Sequence, residues 1–384
     1  MELDYSPADE AFRAEVRAWL AEHVPDPPLR SVNTAAGFAA HREWERELAA
    51  ARLAVISWPE CYGGRDASLT RWLVFEEEYY RAGGPVRVGQ NGLFLLAPTL
   101  FAHGTTEQLD RVLPPMATAD QVWAQAWSEP GAGSDLAAIR SAAARVDGGW
   151  LLSGQKTWSS RAAFADRAFG LFRSDARAEK HRGLTYLMFD LRAPGVTVRP
   201  IAQLDGEPGF AEIFLDEVFV PDADVIGEAG QGWRVAMSTA SHERGLSLRS
   251  PGRFLAAADR LLRLWQHSAV AGRDALGERV ADAWIAARAY QLHTFGIVEA
   301  LEAGGTLGAE GSLGKVFWSE LDVSICETAL DLLGPAGEVS EPDNPWPRGG
   351  WPRSYLFSLA GPIYAGTNEI QRSVIAERLL GMPR

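Results

Sequence analysis

The sequence predicts an α+β multidomain protein: an N-terminal helical domain over residues 1–118, a middle β domain over 119–226 and a C-terminal helical domain over 227–384. Three observations carry this expectation. Apolar residues recur at helical spacing through the first third of the chain. Near Val122 the pattern changes to short β-rich runs separated by turn residues, and after Ile226 the helical period returns. At 384 residues, 47% hydrophobic and 23% charged, the chain is long enough to bury two or three cores.

Each element follows from local signals. Ser6-Pro7 starts the first helix, with Ser as N-cap and Pro in the first turn. Phe12, Val16, Trp19 and Leu20 follow at helical spacing, and Pro25 stops the run. A second helix carries Phe38, Trp44 and Leu48; residues 69–80 form a third and 93–101 an apolar fourth. Gly63-Gly64 and Gly83-Gly84 punctuate them. The strand candidates are 150–152, 168–172, 184–191, 196–201 and 211–220, with turns at Pro194-Gly195 and Pro221-Asp222. Further on, 233–248 reads as one helix, interrupted near Pro251-Gly252. Helices over 254–265, 279–301 and 313–333 come next. The stretch 334–350 is rich in Pro and Gly and reads as a loop, and a last helix begins near Thr367 and ends at Gly381.

Composition narrows the function classes. A net charge of −13 argues against nucleic acid or an anionic membrane as a main partner. The two cysteines, Cys61 and Cys326, make no disulfide framework and fit a reducing cytoplasm. The N-terminus shows no basic-then-apolar signal, and no run of roughly 18 apolar residues is present, so no membrane span is expected. Fourteen Trp is a high count; aromatic surface of that amount fills cores and interfaces.

Two stretches carry the chemistry. Ser128-Glu129-Pro130-Gly131-Ala132-Gly133-Ser134-Asp135 is a turn whose glycines let backbone N–H groups approach a ligand and whose serines add donors and acceptors. Gly154-Gln155-Lys156-Thr157-Trp158-Ser159-Ser160 follows the apolar run at 150–152 and places a Trp between a basic residue and two hydroxyls. Alone, either stretch is a weak signal. With Trp58-Pro59-Glu60-Cys61-Tyr62-Gly63-Gly64 and Gly366-Thr367-Asn368-Glu369-Ile370-Gln371-Arg372 they form four ordered motifs over nearly the whole chain. This set resembles the acyl-CoA dehydrogenase family.

The resemblance implies a β-barrel-like middle domain, a C-terminal four-helix bundle that builds a tetramer core, and FAD as cofactor. By the same resemblance Ser128, Trp158 and Ser160 line the flavin ring, with Trp158 over the face opposite the substrate. Gln125 and Trp127 hold the preceding positions, and Gly133 and Ser134 approach cofactor or substrate phosphates. Thr367 and Glu369 match the turn that takes the pyrophosphate and adenine end, where a helix N-terminus receives an anion.

The chemistry removes an α-proton from a thioester while a hydride leaves the β-carbon, so it needs a carboxylate base in a water-poor site. Most of the family carries that Glu just before the Gly-Thr of the last helix. Here the position is Ala365, which keeps only its backbone N–H for the thioester carbonyl. A minority of the family places the base on the middle helix before an Arg, and Glu243-Arg244 matches that position. The resemblance therefore makes Glu243 the base, with Arg244 and Ser134 on the substrate side. A structural ion pair is the commoner role for such a dipeptide. His242 reads as structural, because a helix turns it away from its neighbour.

Two family motifs that reach a neighbouring subunit's flavin are degraded here. One region reads Ala271-Gly272-Arg273-Asp274-Ala275-Leu276-Gly277, and the other reads Asp331-Leu332-Leu333-Gly334-Pro335, placing an acid near a pyrophosphate. This resembles the α2β2 acyl-CoA dehydrogenases of actinobacterial steroid side-chain degradation, built from two paralogous chains; a homotetramer with Arg273 filling in is the alternative. The resemblance thus implies FAD-dependent formation of a 2,3-enoyl-CoA from a bulky, branched or steroid-derived acyl-CoA, with electrons passed to an electron-transferring flavoprotein. A carrier-protein thioester is the nearest variant. Two other classes stay open: a non-catalytic or flavin-sharing subunit, and a flavin oxidase or monooxygenase.

Overall fold

The computed structural model describes residues 5–243, 250–269, 272–305, 308–339 and 350–383. The helices are α1 (Pro7–His23), α2 (Ala35–Ala50), α3 (Leu69–Arg81), α4 (Ala97–His103), α5 (Thr106–Ala117), α6 (Gly232–Glu243), α7 (Pro251–His267), α8 (Gly277–Glu302), α9 (Glu310–Leu333), α10 (Trp351–Ser358) and α11 (Asn368–Val374). The strands are β1 (Trp123–Ala126), β2 (Ala142–Val146), β3 (Gly149–Ser160), β4 (Arg167–Arg173), β5 (Leu184–Asp190), β6 (Val196–Ile201) and β7 (Phe210–Pro221). They gather into two compact units that cut across chain order. One unit is Val32–Arg65 with Arg87–Glu243; the other is Met1–Ser31, Asp66–Val86 and Arg244–Arg384.

The first unit is built on one seven-stranded sheet, in the order β1-β4-β2-β3-β7-β6 with β5 on β4. β1 runs parallel to β4, whereas β3–β7, β6–β7 and β4–β5 are antiparallel. Phe169, Leu171 and Phe172 of β4 and Tyr186, Leu187, Met188 and Phe189 of β5 are all buried, which is why these strands read as continuous apolar runs. The long β3–β7 ladder shifts register twice, between Leu152 and Gly154 and between Lys156 and Ser159. Such a bulge leaves a residue unpaired and re-aims its side chain. The second shift contains Trp158.

Helices α2, α4, α5 and α6 belong to the same unit. Apolar spacing in the sequence marks no helix over 106–117, yet α5 forms there. A capping box starts it: Thr105 Oγ1 accepts from Gln108 N (3.3 Å) and Gln108 Oε1 accepts from Thr105 N (3.1 Å). Pro114 and Pro115 near its end mask the helical pattern. The expected fourth helix divides into a π-helical turn over Gly92–Leu96 and α4. The helix expected over 233–248 is described as far as Glu243, and the rest lies outside the described residues.

In the second unit α7, α8 and α9 pack around Phe254, Leu261, Val280, Ala287, Trp318 and Ile325. Helices α1 and α3 carry charge into the interior in pairs. Glu78, 2% exposed, accepts from Arg17 Nε at 2.9 Å and from Arg81 at 2.6 Å. Neighbouring Glu77 is raised above the usual carboxylate range by burial, against the opposing pull of Gln291 and Arg13. α10 has no counterpart among the expected elements, and α11 continues as a π-helical turn over Ile375–Leu379.

Candidate functional site

One group of candidate residues lies where β1 leaves the sheet beside the end of β3. Trp127 is buried and donates its Nε1–H to the Tyr186 hydroxyl at 3.0 Å. Ser128 is half-buried, and its carbonyl accepts from Thr157 N at 2.9 Å, so the exit of one strand is tied to the other. Glu129 and Ala132 then close a turn through two mutual backbone bonds of 3.0 Å. Gly133 and Ser134 are exposed, and a Cβ built on Gly131 or Gly133 meets nothing within 4 Å. The turn therefore presents bare backbone to open space.

Beneath it lies a buried ion pair. Lys156 is 0% exposed, and its three N–H donors reach Glu129 Oε1 (2.8 Å), Leu171 O (2.8 Å) and Trp127 O (3.3 Å). Glu129 also accepts from the backbone N–H groups of Arg140 (2.6 Å) and Ser141 (2.9 Å). Burial alone raises the Glu129 carboxyl, but Lys156 and these donors hold it below the usual carboxylate range. Burial pulls the Lys156 ammonium down to about 8, against the attraction of Glu129, so both partners are charged at neutral pH. The two motifs that the sequence places twenty-odd residues apart are thus one unit, fastened from below.

Trp158 stands out above this base. Its backbone is left-handed at φ 59°, the residue is 59% exposed, and its only described ring contact is edge-on to Phe210, with centroids 6.0 Å apart. A left-handed backbone costs a non-glycine residue about 1–2 kcal/mol, and such strain clusters at functional sites. Ser160 is half-buried two residues on. On β1, Gln125 Nε2 is buried without a hydrogen-bond partner among the described residues. An exposed Trp, an orphaned amide donor, free hydroxyls and an open glycine turn are the donor set that a flat, polar-edged ring with a phosphate tail requires, so FAD fits.

A chain of polar contacts leads on from Trp127. The Tyr186 hydroxyl lies 3.2 Å from Thr239 Oγ1 on α6, and that atom is 2.8 Å from Thr99 Oγ1. Glu243 is the last residue of α6, one helical turn beyond Thr239, so its position shares the Thr239 face. Its side chain and Arg244 lie outside what is described. Sequence reasoning passed over Tyr186 and Thr239; neither falls in a motif, and only the fold joins them.

A separate group of candidate residues belongs to the helical unit. Ala365 and Gly366 are consecutive left-handed residues, at φ 57° and 79°. The buried Gln371 amide holds this turn, donating to Ala365 O (3.1 Å) and Gly366 O (3.4 Å). A Cβ at Gly366 meets Gln371 Nε2 at 2.3 Å, so a larger residue there displaces that amide. No described residue accepts a hydrogen bond from the Ala365 N–H. Thr367 caps α11, its Oγ1 accepting from Ile370 N at 3.3 Å. Glu369 is exposed, and a backbone hydrogen bond together with the Thr367 hydroxyl holds its carboxyl below the usual range. Asn368 anchors the turn to α9, accepting from Lys315 Nζ at 2.7 Å and Ser319 Oγ at 3.1 Å.

Comparison with known proteins agrees with this geometry. The N-terminal, middle and C-terminal domain families of acyl-CoA dehydrogenase match residues 6–120, 124–218 and 230–380. The acyl-CoA dehydrogenase IpdE1 of Mycobacterium tuberculosis is 39% identical over 386 residues, 98% of each chain. This chain belongs to the acyl-CoA dehydrogenase family. Like the family, it is an oxidoreductase acting on an acyl-CoA, and its cofactor is FAD. IpdE1 of Mycolicibacterium smegmatis is 37% identical over 98% of each chain. Two solved structures match the whole chain along their whole length. These are the Tcur3481-Tcur3483 steroid acyl-CoA dehydrogenase, at TM-score 0.88 and 26% identity, and the ChsE4-ChsE5 complex from Mycobacterium tuberculosis, at 0.84 and 28%. Among the described residues no helix is long and apolar enough to cross a membrane, and no cluster of side chains could hold a metal ion.

Proposed function

We propose that the chain oxidises an acyl-CoA thioester across its α,β bond to the 2,3-enoyl-CoA, acting as a three-domain enzyme divided near residues 118 and 226. FAD supplies the hydride acceptor. Glu243 takes the α-proton, a role that Ala365 cannot fill. The unused Ala365 N–H donates to the thioester carbonyl, where negative charge develops as the proton leaves. Trp158 covers one face of the flavin ring; Gln125, Trp127, Ser128 and Ser160 line its edge. Gly133 and Ser134 take phosphate, Thr367 and Glu369 the pyrophosphate and adenine end, and Arg244 with Ser134 the substrate. The observation that carries this reading is Trp158, a solvent-exposed Trp on a strained backbone beside the fastened turn.

The substrate class follows the relatives: a bulky, steroid-derived acyl group, as the name of the Tcur3481-Tcur3483 steroid enzyme states for that protein. Pairing with a paralogous chain as α2β2 is favoured over a homotetramer by two residues. Arg273 donates to Gln266 O (3.1 Å) and Ser268 O (3.3 Å) at the end of α7, and Asp331 accepts from Arg279 at 2.5 Å, so both are engaged within their own chain. Electrons leave through an electron-transferring flavoprotein, and the enzyme works in the cytoplasm. The test is anaerobic mixing of the purified protein with acyl-CoA thioesters. Bleaching of the flavin absorbance, abolished in Glu243→Gln with flavin content intact, is the expected result. Unimpaired bleaching in that variant removes Glu243 from the mechanism, and a stable tetramer of this chain alone with one flavin per chain removes the α2β2 pairing. Ala365 also favours a second reading, a flavin-sharing subunit without its own chemistry; that reading requires the wild-type chain to leave every thioester unoxidised.

A further inference from the structure

Arg161 follows Ser160 directly, and nothing above uses it. Its backbone is left-handed at φ 52°, so two strained non-glycine residues, Trp158 and Arg161, lie within four positions. Its main chain is fully employed: the N–H donates to Gly209 O at 3.0 Å, and the carbonyl accepts from Phe164 N and Ala165 N. Its side chain is not. Nε is buried without a partner, and the guanidinium makes no hydrogen bond or close ion pair among the described residues.

The charge count at this spot is unbalanced. The one carboxylate that acts on Arg161 is Glu45, at a distance. Glu45 is 1% exposed and already engaged, accepting from Arg87 Nε at 2.8 Å and from Gly89 N at 3.3 Å. Glu45 is thus already paired with Arg87, and Arg161 has no carboxylate within ion-pair distance among the described residues. Burial pulls Arg161 down only to about 10, so the charge persists at physiological pH. A desolvated guanidinium with open donors is costly unless an acceptor arrives. The residue as a whole is half-buried while Nε is enclosed, and neither terminal nitrogen is among the fully buried unpaired atoms.

We infer that Arg161 is a specificity-determining residue, whose guanidinium receives an oxygen acceptor carried by the acyl group of the substrate away from its thioester. This rests on the reading of Trp158 and Ser160 as the flavin edge, because that reading puts the reacting thioester beside the same strand end. The acceptor chemistry is shared by a ring or chain carbonyl and by a carboxylate.

The experiment uses the purified flavoprotein with any partner chain that co-purifies. Three CoA thioesters of matched length are compared, ending in a methyl group, a ketone and a carboxylate, on wild type, Arg161→Lys and Arg161→Met. Wild type should prefer an oxygenated thioester in kcat/KM. Arg161→Met should lose that preference by about 10- to 100-fold, keep its rate on the methyl-ended thioester and keep its flavin content, and Arg161→Lys should restore part of the preference. Whichever oxygenated thioester gains more identifies the acceptor as neutral or anionic. An unchanged preference in Arg161→Met overturns the inference, as does flavin loss with the preference unchanged, which assigns the guanidinium to the cofactor. Melting temperature with the corresponding free keto and dicarboxylic acids separates the two readings. If wild type oxidises no thioester but is stabilised by these acids only when Arg161 is present, the dehydrogenase reading fails and this one stands. If no stabilisation depends on Arg161, this one fails.

Discussion

Lys156→Met tests whether the buried pair is what holds the turn proposed to carry the flavin. Lys156 is completely enclosed, and its loss removes three hydrogen bonds at once. Glu129 keeps the Arg140 and Ser141 N–H groups but loses its counter-charge. Removing one member of a buried pair costs about 3–5 kcal/mol, and the two surviving donors put this case near the low end, at about 3 kcal/mol. At roughly 2–4 °C per kcal/mol, the melting temperature of the unit should fall by roughly 6–12 °C. The Trp127 and Glu129 groups on either side of Ser128 are released together, so FAD affinity should drop by about tenfold or more, the equivalent of one lost hydrogen bond. Flavin absorbance relative to protein after extensive dialysis, and calorimetry of the apoprotein, read the two effects separately. Pairing the change with Glu129→Gln, which removes the uncompensated charge, should recover part of the stability but not the flavin. If Lys156→Met melts within about 1 °C of wild type and retains its flavin, the pair is not the fastening described here.

Three further outcomes follow. Trp158→Ala should leave the melting temperature of the apoprotein nearly unchanged, because the residue is 59% exposed, while flavin affinity falls by about tenfold or more from lost stacking; equal losses in both would make the Trp a core residue. Gly366→Ala should lower stability by about 1–3 kcal/mol, since the added Cβ meets Gln371 Nε2 at 2.3 Å, and a calorimetric change below about 0.5 kcal/mol would contradict the grip of that amide. The folded protein releases the Lys156 proton near pH 8, whereas an unfolded lysine holds it to 10.5. This group's contribution is therefore fully present above about pH 10.5 and is lost as pH falls through about 8, by roughly 3 kcal/mol in total. The stability gap between wild type and Lys156→Met should widen between those limits, and a gap that narrows would reverse the assignment.

The local structure around the candidate residues was legible because they lie in short contiguous motifs. Ser128, Trp158 and Thr367 are found where the motifs put them, on a turn, at a strand end and at a helix cap. The fastening beneath was less legible. Lys156 looked like the basic member of a polar run, and only the pairing of β3 with its neighbours turns it inward to Glu129. Tyr186, Thr239 and Gln371 carry no local signature at all; each matters through a partner dozens of residues away or across a turn. Helix α5 shows the opposite case, since Thr105 and Gln108 spelled out its capping box while two prolines obscured the periodicity behind it. The strained backbones of Trp158, Arg161 and Ala365 were invisible for a simpler reason: none of them is glycine.

The discontinuous make-up of the helical unit bears on the order of events at the ribosome. Helices α1 and α3 can meet as soon as both have emerged, through Arg17 and Glu78. The buried face of α3, with Leu73, Val74 and Phe75, packs against α7, which is made much later. Everything needed for the sheet unit ends at Glu243, and roughly 140 residues of the other unit are still to come. α7 is complete only at His267, roughly 190 residues after α3 ends at Arg81, which at about 5–20 residues per second is a wait of about 9–37 s. During this interval the apolar face of α3 stands uncovered, so a nascent chain stalled before α7 should be a target for chaperones and proteases although the sheet unit is already complete.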